Sequence, residues 1–263
     1  MTLHVSSSAA FQYHPPSAAA EAERILVKPN LGYPVGHPAT VSLGVLSEVL
    51  RSLREANPHG EILIVEGVCS TRSLADIVVR HGVDKLLDER MQLLDADALP
   101  LADYPNRSGS PVRFATMKAP ALLSEVDCRI SVGTFKRTTL GGEHLISASL
   151  KNLYGLFPRS VYKARSPKSR GRLHRPSVPM VLQDVYHCVG HLFEGAVVDG
   201  TERYISPDWK PDRTRNVAFA MDKVIQGDDL LAVDRRACVE AGEPVPDYIG
   251  WLQDGAVMAR DAG

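Results

Sequence analysis

Two lysine–amide pairs carry the chemistry that this chain's residue types offer. The first is Lys28 and Asn30 in "ILVKPNLG"; the second is Lys151 and Asn152 in "ISASLKNLYGLFP". Each pair sits where a regular element gives way to a glycine-containing turn. A lysine in such a place has three uses. It binds a carboxylate or phosphate as a point charge. It acts as a base or a Schiff-base amine if burial or other cations lower its pKa. Or it points into water. Lys136, in "CRISVGTFK", adds a third cation at a strand end. The pair Gly141–Gly142 follows, where backbone N–H groups can approach an oxyanion. Together these positions predict two walls of one anion pocket, with Lys28 and Lys151 as catalytic groups and Asn30, Lys136, Asn152, Gly141, Gly142 and Arg159 as substrate contacts.

Common cofactor cradles are missing from the sequence. "GGEH" is not a GxGxxG turn, and no GxxxxGK[ST] or GxSxG occurs. Lysine, histidine and carboxylate chemistry is left, which suits proton transfer beside a carbonyl or carboxylate: isomerisation, epimerisation, elimination or decarboxylation. The expectation is an isomerase- or lyase-type enzyme for a carboxylated or phosphorylated small molecule. Two alternatives stay open: a metal-dependent or redox enzyme served by a bound metal or an iron–sulfur partner, and a non-catalytic anion-binding protein.

The elements that must hold these residues read as strand, helix, strand along the chain. "RILVKPN" and "EILIVEG" are short apolar runs with polar endings. Between them Val41, Val45, Leu46, Val49, Leu50 and Leu53 fall on one helical face, with Thr40 as the expected N-cap. "RSLADIVVRHG" predicts a helix stopped by Gly82. "MQLLDAD" predicts a strand, and "VRFATMK", "PALLSEVD" and "CRISVGTFK" predict strand, helix, strand. This alternation implies an α/β fold, a mainly parallel sheet with helices on both faces. Ligands of such sheets bind at the carboxyl ends of the strands. Lys28, Asn30, Glu66, Lys136 and the later Asp199 all fall at such ends.

Order and spacing of these motifs resemble domain of unknown function family 362. The resemblance rests on "ILVKPNLG", "ILIVEG", "DCRISVGTFKRTTLGGEHLISASLKNLYGLFP" and "GDDLLAVDRRAC", across roughly residues 24–240. It implies motif roles for Lys28, Asn30, Lys136, Lys151 and Asn152, and for Asp228, Asp229 and Asp234. Where many relatives read lysine–threonine–histidine, this chain reads "FKRTTLGGEH", which shifts the expected catalytic histidine to His144. Many relatives also carry a ferredoxin-like iron–sulfur module. The isolated Cys69, Cys128, Cys188 and Cys238 have no such spacing, so they read as incidental thiols.

A second histidine pattern is a weaker alternative. In "VLQDVYHCVGHLFEG", Asp184, His187 and His191 would share one helical face, with the two histidines at metal-binding spacing. No metal or other cofactor is predicted. Residues 159–175 hold seven Lys and Arg side chains and no acid, which suggests a mobile basic lid over an anion.

The totals bound the remaining classes. With 263 residues the chain can bury one sizeable core, expected as a single domain over residues 21–263 behind a flexible leader at 1–20. A net charge of −1 gives no global pull toward nucleic acid or anionic membrane. A small anionic substrate is the expected partner, a cytoplasmic location is expected, and the oligomeric state is not legible.

Overall fold

The computed structural model describes residues 2–140, 143–166, 168–207 and 217–261. Ten strands are present among them: β1 (Leu3–Ser6), β2 (Arg24–Pro29), β3 (Glu61–Glu66), β4 (Met91–Asp95), β5 (Leu101–Pro105), β6 (Thr116–Pro120), β7 (Cys128–Leu140), β8 (Glu143–Ser147), β9 (Gly195–Ser206) and β10 (Val217–Gly227). The helical segments that matter for the site are α1 (Leu43–Ala56), α2 (Leu74–His81), α3 (Ser149–Asn152), α4 (Val178–Cys188), α5 (Leu230–Glu240) and α6 (Asp247–Asp261). The main sheet runs β1-β10-β9-β7-β2-β3-β4, with β8 folded back on β7. β4, β3, β2, β7 and β9 pair in parallel, so their carboxyl ends share one edge. β10, β1 and β8 pair antiparallel. The chain is therefore an α/β protein with a mixed, mostly parallel sheet.

Alternation along β2 shows how the sheet separates two cores. Ile25 and Val27 join α1 and α2 on one face, through Val45, Leu46, Val49, Leu53, Ile77 and Val78. Leu26 faces the other way, toward a core built from α4 and α5 through Val181, Leu182, Val185, Leu231 and Ala237. Period-2 alternation in a strand covered on both sides forces this division. Lys28 continues the Leu26 parity, which sends its side chain toward α3.

Local chemistry sets the helix ends. Ser73 caps α2 through the Asp76 N–H, Asp76 returns the contact in a capping box, and Gly82 ends the helix at φ 72°. The predicted stop at Gly82 is what the structure has. The predicted cap of α1 is not. Ser42 accepts from the Val45 N–H, while the Thr40 hydroxyl is turned to the Val35 carbonyl at 2.9 Å.

Three other expectations change. The expected leader is ordered: β1 pairs with β10 from Leu3 opposite Gly227 to Ser6 opposite Val224, and Phe11, Tyr13 and Ala19 are buried. The unpaired edge of β10 recruits it. "TMKAP" pairs with β5, a strand not foreseen, in a separate two-stranded sheet. The segment 159–175 is also anchored. Arg159–Tyr162 and Gly171–His174 are helical turns, Tyr162 packs edge-on against Phe157 and Phe114, and Arg170 is buried.

Candidate active site

The floor of the site is an ion pair without solvent. Lys28 Nζ lies 2.8 Å from Glu66 Oε1, and both side chains are essentially inaccessible. Nζ also donates to Pro29 O at 2.9 Å and Asn152 Oδ1 at 3.1 Å. An ammonium has three donors, and all three are used. Glu66 accepts from the N–H groups of Gly67 and Leu31, both at 2.8 Å. Burial pulls the Lys28 pKa down, and Glu66 pulls it back up. Two glycines leave room for the pair. A Cβ on Gly155 would stand 2.7 Å from Lys28 Cε and 2.8 Å from its Nζ, and closer still to Glu66. A Cβ on Gly67 would collide with Arg170 and the Gly155 carbonyl.

Asn152 stitches the two lysine–amide motifs together. Its Nδ2 donates to Lys28 O at 2.8 Å and to Ser131 Oγ at 3.1 Å. The turn that carries it, α3, is held from below by Asp234 of α5. That carboxylate accepts from Ser149 N at 2.7 Å, Ser149 Oγ at 2.5 Å and Leu150 N at 3.0 Å. Two of these donors are free N–H groups of a helix start, and the third is the Ser149 hydroxyl. Burial raises Asp234 to about 6, against the pull of the Ser149 hydrogen bonds. The other late aspartates work locally: Asp229 caps α5 through Ala232 N, and Asp228 binds Thr2.

Above the floor stand Lys136 and Lys151, both only half-buried. Lys136 Nζ donates to Ala39 O at 2.7 Å, in the loop between β2 and α1. The β7–β9 register breaks between Thr134 and Lys136, an irregularity of the kind that re-aims a side chain. Lys151 Nζ sits 3.8 Å from the centre of the Tyr154 ring, a cation–π contact. Burial, then the charge of Lys151, lowers Lys136 to about 7. Burial, opposed by Cys69 and reinforced by Arg170 and Lys28, lowers Lys151 to about 8. The lysines thus feel one another while solvent still reaches them.

Three members of this cluster were not foreseen. Cys69, read as incidental, contributes to the field at all three lysines and accepts from Arg170 Nη1 at 3.1 Å. Arg170, one of many basic residues in its segment, also donates to Val68 O, Gly155 O and Phe157 O. His174 stacks edge-on against Tyr154 at 5.7 Å. Its Nδ1 pairs with Arg170 O at 3.2 Å, and burial beside Lys151 lowers its pKa to about 4. His174 is therefore a neutral ring at neutral pH. The only sequence signal for Arg170 and His174 was the acid-free run around them.

The remaining expected residues fall as follows. Asn30 is half-buried and donates to Thr134 Oγ1 at 3.2 Å. Arg159 lies further out, with Nε 2.5 Å from Asp97 Oδ2. His144 is exposed on the β7–β8 hairpin, where its Nδ1 meets Thr139 Oγ1 at 3.3 Å, and it does not join the lysines. Gly141 and Gly142 lie outside the described residues. Asp199 accepts from Ser42 N at 2.8 Å and steadies the start of α1.

The metal alternative loses its geometry. Asp184 is filled by Asn106 Nδ2 and the N–H groups of Val112, Arg113 and Phe114. α4 stops at Cys188, because Val189 leaves the helical region at φ −136°. His191 therefore belongs to a separate turn, not to the His187 face. Among the described residues no group of three His, Cys, Asp or Glu side chains is placed to hold a metal ion.

The KPN and LKNLYG motifs meet through Lys28 and Asn152 at the carboxyl edge of the parallel strands. The chain matches DUF362, a domain of unknown function, over residues 25–239, and it belongs to that family. No curated protein matches it. Among solved structures it is similar to the lactate racemase apoprotein from Thermoanaerobacterium thermosaccharolyticum, with 14% identity and a TM-score of 0.44. That similarity covers 80% of this chain and 49% of the other, so the chain spans about half the length of that protein. Among the described residues no helix is long and apolar enough to cross a membrane.

Proposed function

We propose that the chain is an enzyme that moves a proton at a carbon beside a carbonyl or carboxylate of a small anionic substrate. The observation that carries this reading is the pair Lys136 and Lys151, half-buried at one sheet edge, with pKa values lowered to about 7 and about 8. Near neutrality such a pair holds an amine and an ammonium side by side. The amine of Lys136 removes the proton, and the Lys151 ammonium, with Arg170 behind it, stabilises the negative charge that develops. His174, kept neutral, donates its Nδ1–H to the Arg170 carbonyl and adds no charge to the site. Lys28, with its three donors committed, positions the α3 wall and does not touch substrate. Isomerase, epimerase and lyase reactions all share this proton step.

The test is exchange of substrate C–H for deuterium from solvent, followed by NMR across small carboxylic acids and phosphate esters with a C–H beside the carbonyl or carboxylate. Exchange is expected with at least one compound, and Lys136→Met and Lys151→Met should each slow it by about 10²–10⁴-fold. Saturable anion binding without exchange in any compound would favour the non-catalytic binding reading.

A further inference from the structure

We infer that the site takes 2-oxo acids, and that Lys136 captures the ketone carbon as an imine while Lys151 holds the carboxylate. This deepens the proton-transfer reading above and rests on it, with the Lys136 amine serving as nucleophile in place of base. The two lysines differ in what surrounds their nitrogen atoms. Lys151 Nζ faces the Tyr154 ring, and a π face favours a cation. Lys136 Nζ has one backbone carbonyl, Ala39 O at 2.7 Å. That contact uses one N–H and fixes the direction of the nitrogen; among the described residues Lys136 has no ion pair like that of Lys28 with Glu66, and Glu66 acts on it only as a more distant charge. Lys136 is therefore placed as a nucleophilic amine beside a fixed cation, a recognised way to activate a lysine. Its lowered pKa agrees with that placement.

The chemistry balances without an outside oxidant or reductant. The Lys136 amine adds to the ketone carbon and gives a carbinolamine. A proton from solvent goes to the departing hydroxyl, water leaves, and a protonated imine remains, while Lys151 keeps its charge on the carboxylate. Water at the half-buried rim removes a proton from the adjacent carbon, and the electron pair moves into the enamine. Reprotonation and addition of water regenerate Lys136 and release the 2-oxo acid. The imine is an electron sink that a lone ammonium cannot match, so it lowers the barrier to the same proton step.

The experiment uses pyruvate as the probe with the full chain. Pyruvate and sodium borohydride are added together, and intact-mass and peptide mass spectrometry locate any reduced adduct. A parallel sample without borohydride is followed by NMR for loss of the pyruvate methyl protons in deuterated water. The expected result is one adduct per chain, with the mass of pyruvic acid less one oxygen, on Lys136. It should disappear in Lys136→Met and in Lys136→Arg, the latter keeping the charge. Oxalate, a dicarboxylate with no ketone, should protect Lys136 in the wild-type chain, so the result does not depend on a variant's folding. Labelling spread over exposed lysines such as Lys118 and Lys163, or unchanged in folded Lys136→Arg, would overturn the imine. Methyl exchange without an adduct would overturn it while supporting Lys136 as a simple base. Neither exchange nor adduct would overturn the imine, and the compound panel then decides the proton-transfer reading separately.

Discussion

Lys28 and Lys151 head the same short lysine–amide signature, yet the structure gives them opposite surroundings. Lys28 is sealed from solvent, paired with Glu66 and saturated by Pro29 and Asn152. Lys151 is half-buried over an aromatic ring and has other cations as neighbours. The amides are exchanged between the motifs: Asn152, from the second, binds the lysine of the first. Asn30 turns away to Thr134. A lysine is a structural group when its donors are matched and a chemical one when they are not. Burial alone does not separate the two cases, since it lowers the pKa in both. Glu66 makes the difference.

The largest effect that separates them is on stability. Lys28→Ala leaves the Glu66 carboxylate buried without its cation, and breaking such a pair costs about 3–5 kcal/mol. Urea denaturation should show that loss. Lys151→Ala should lower stability by less than about 1 kcal/mol, because it removes a cation–π contact and relieves crowding among cations, while slowing proton exchange by about 10²–10⁴-fold. Equal losses of stability in the two variants would erase the distinction between floor and rim.

Gly155→Ala probes the floor from the other side. The added methyl must stand within 2.8 Å of Lys28 Nζ and closer to Glu66, and neither can move without giving up hydrogen bonds. Overpacking of this kind costs about 1–3 kcal/mol. A midpoint unchanged from wild type would show that the ion pair can shift.

The rim should reveal itself through pH. The unfolded-state pKa of lysine is about 10.4, and the folded values of Lys136 and Lys151 are about 7 and about 8. Below pH 7 both states hold both protons, and the folded state bears the full cost of two crowded ammoniums. Between about pH 7 and 10 the unfolded chain binds more protons than the folded one, so stability rises with pH from these groups. A rise on the order of 1 kcal/mol is expected, since one pKa unit is worth about 1.4 kcal/mol and solvent screens half-buried charges. Denaturant midpoints at pH 6.5 and 9, compared with those of Lys136→Met, isolate the contribution. No difference between variant and wild type would place the lysine in ordinary solvent.

Much of this architecture is legible in the sequence, and the failures have physical causes. The apolar runs of β2, β3 and β7 and the Gly82 stop are local signals that the fold leaves intact, so the lysine-bearing edge follows from them. β1 is legible only through its partner, since a four-residue strand opposite Gly227 has no local signature. His191 leaves the helix because the backbone departs from helical geometry at Val189, φ −136°, two residues before it, and no residue spacing announces that break. Arg170 and Cys69 were hidden because composition cannot say which basic residue of a run, or which of four thiols, a tertiary contact selects. The exchanged partnership of Lys28 with Asn152 spans 124 residues of chain, and no spacing rule reaches that far.

The smallest effect sharpens the comparison between the two amides. Asn30 follows its lysine by two residues and Asn152 by one, and Asn152 is buried and satisfies both the side chain and the carbonyl of Lys28. Asn152→Ala strands those groups, at about 1–3 kcal/mol for buried polar atoms left unsatisfied. Asn30→Ala removes one contact to the Thr134 hydroxyl at 3.2 Å from a half-buried side chain that water can replace. Its cost in stability should be about 0.5 kcal/mol, toward the bottom of the range for a single hydrogen bond. If Asn30 instead orients the ligand beside Lys136, the variant should weaken saturation by the exchanged acid while the folded protein stays as stable as wild type. Paired measurements of denaturation and of exchange against substrate concentration read both quantities. An Asn30→Ala loss of stability as large as that of Asn152→Ala would return the two motifs to equal, structural roles.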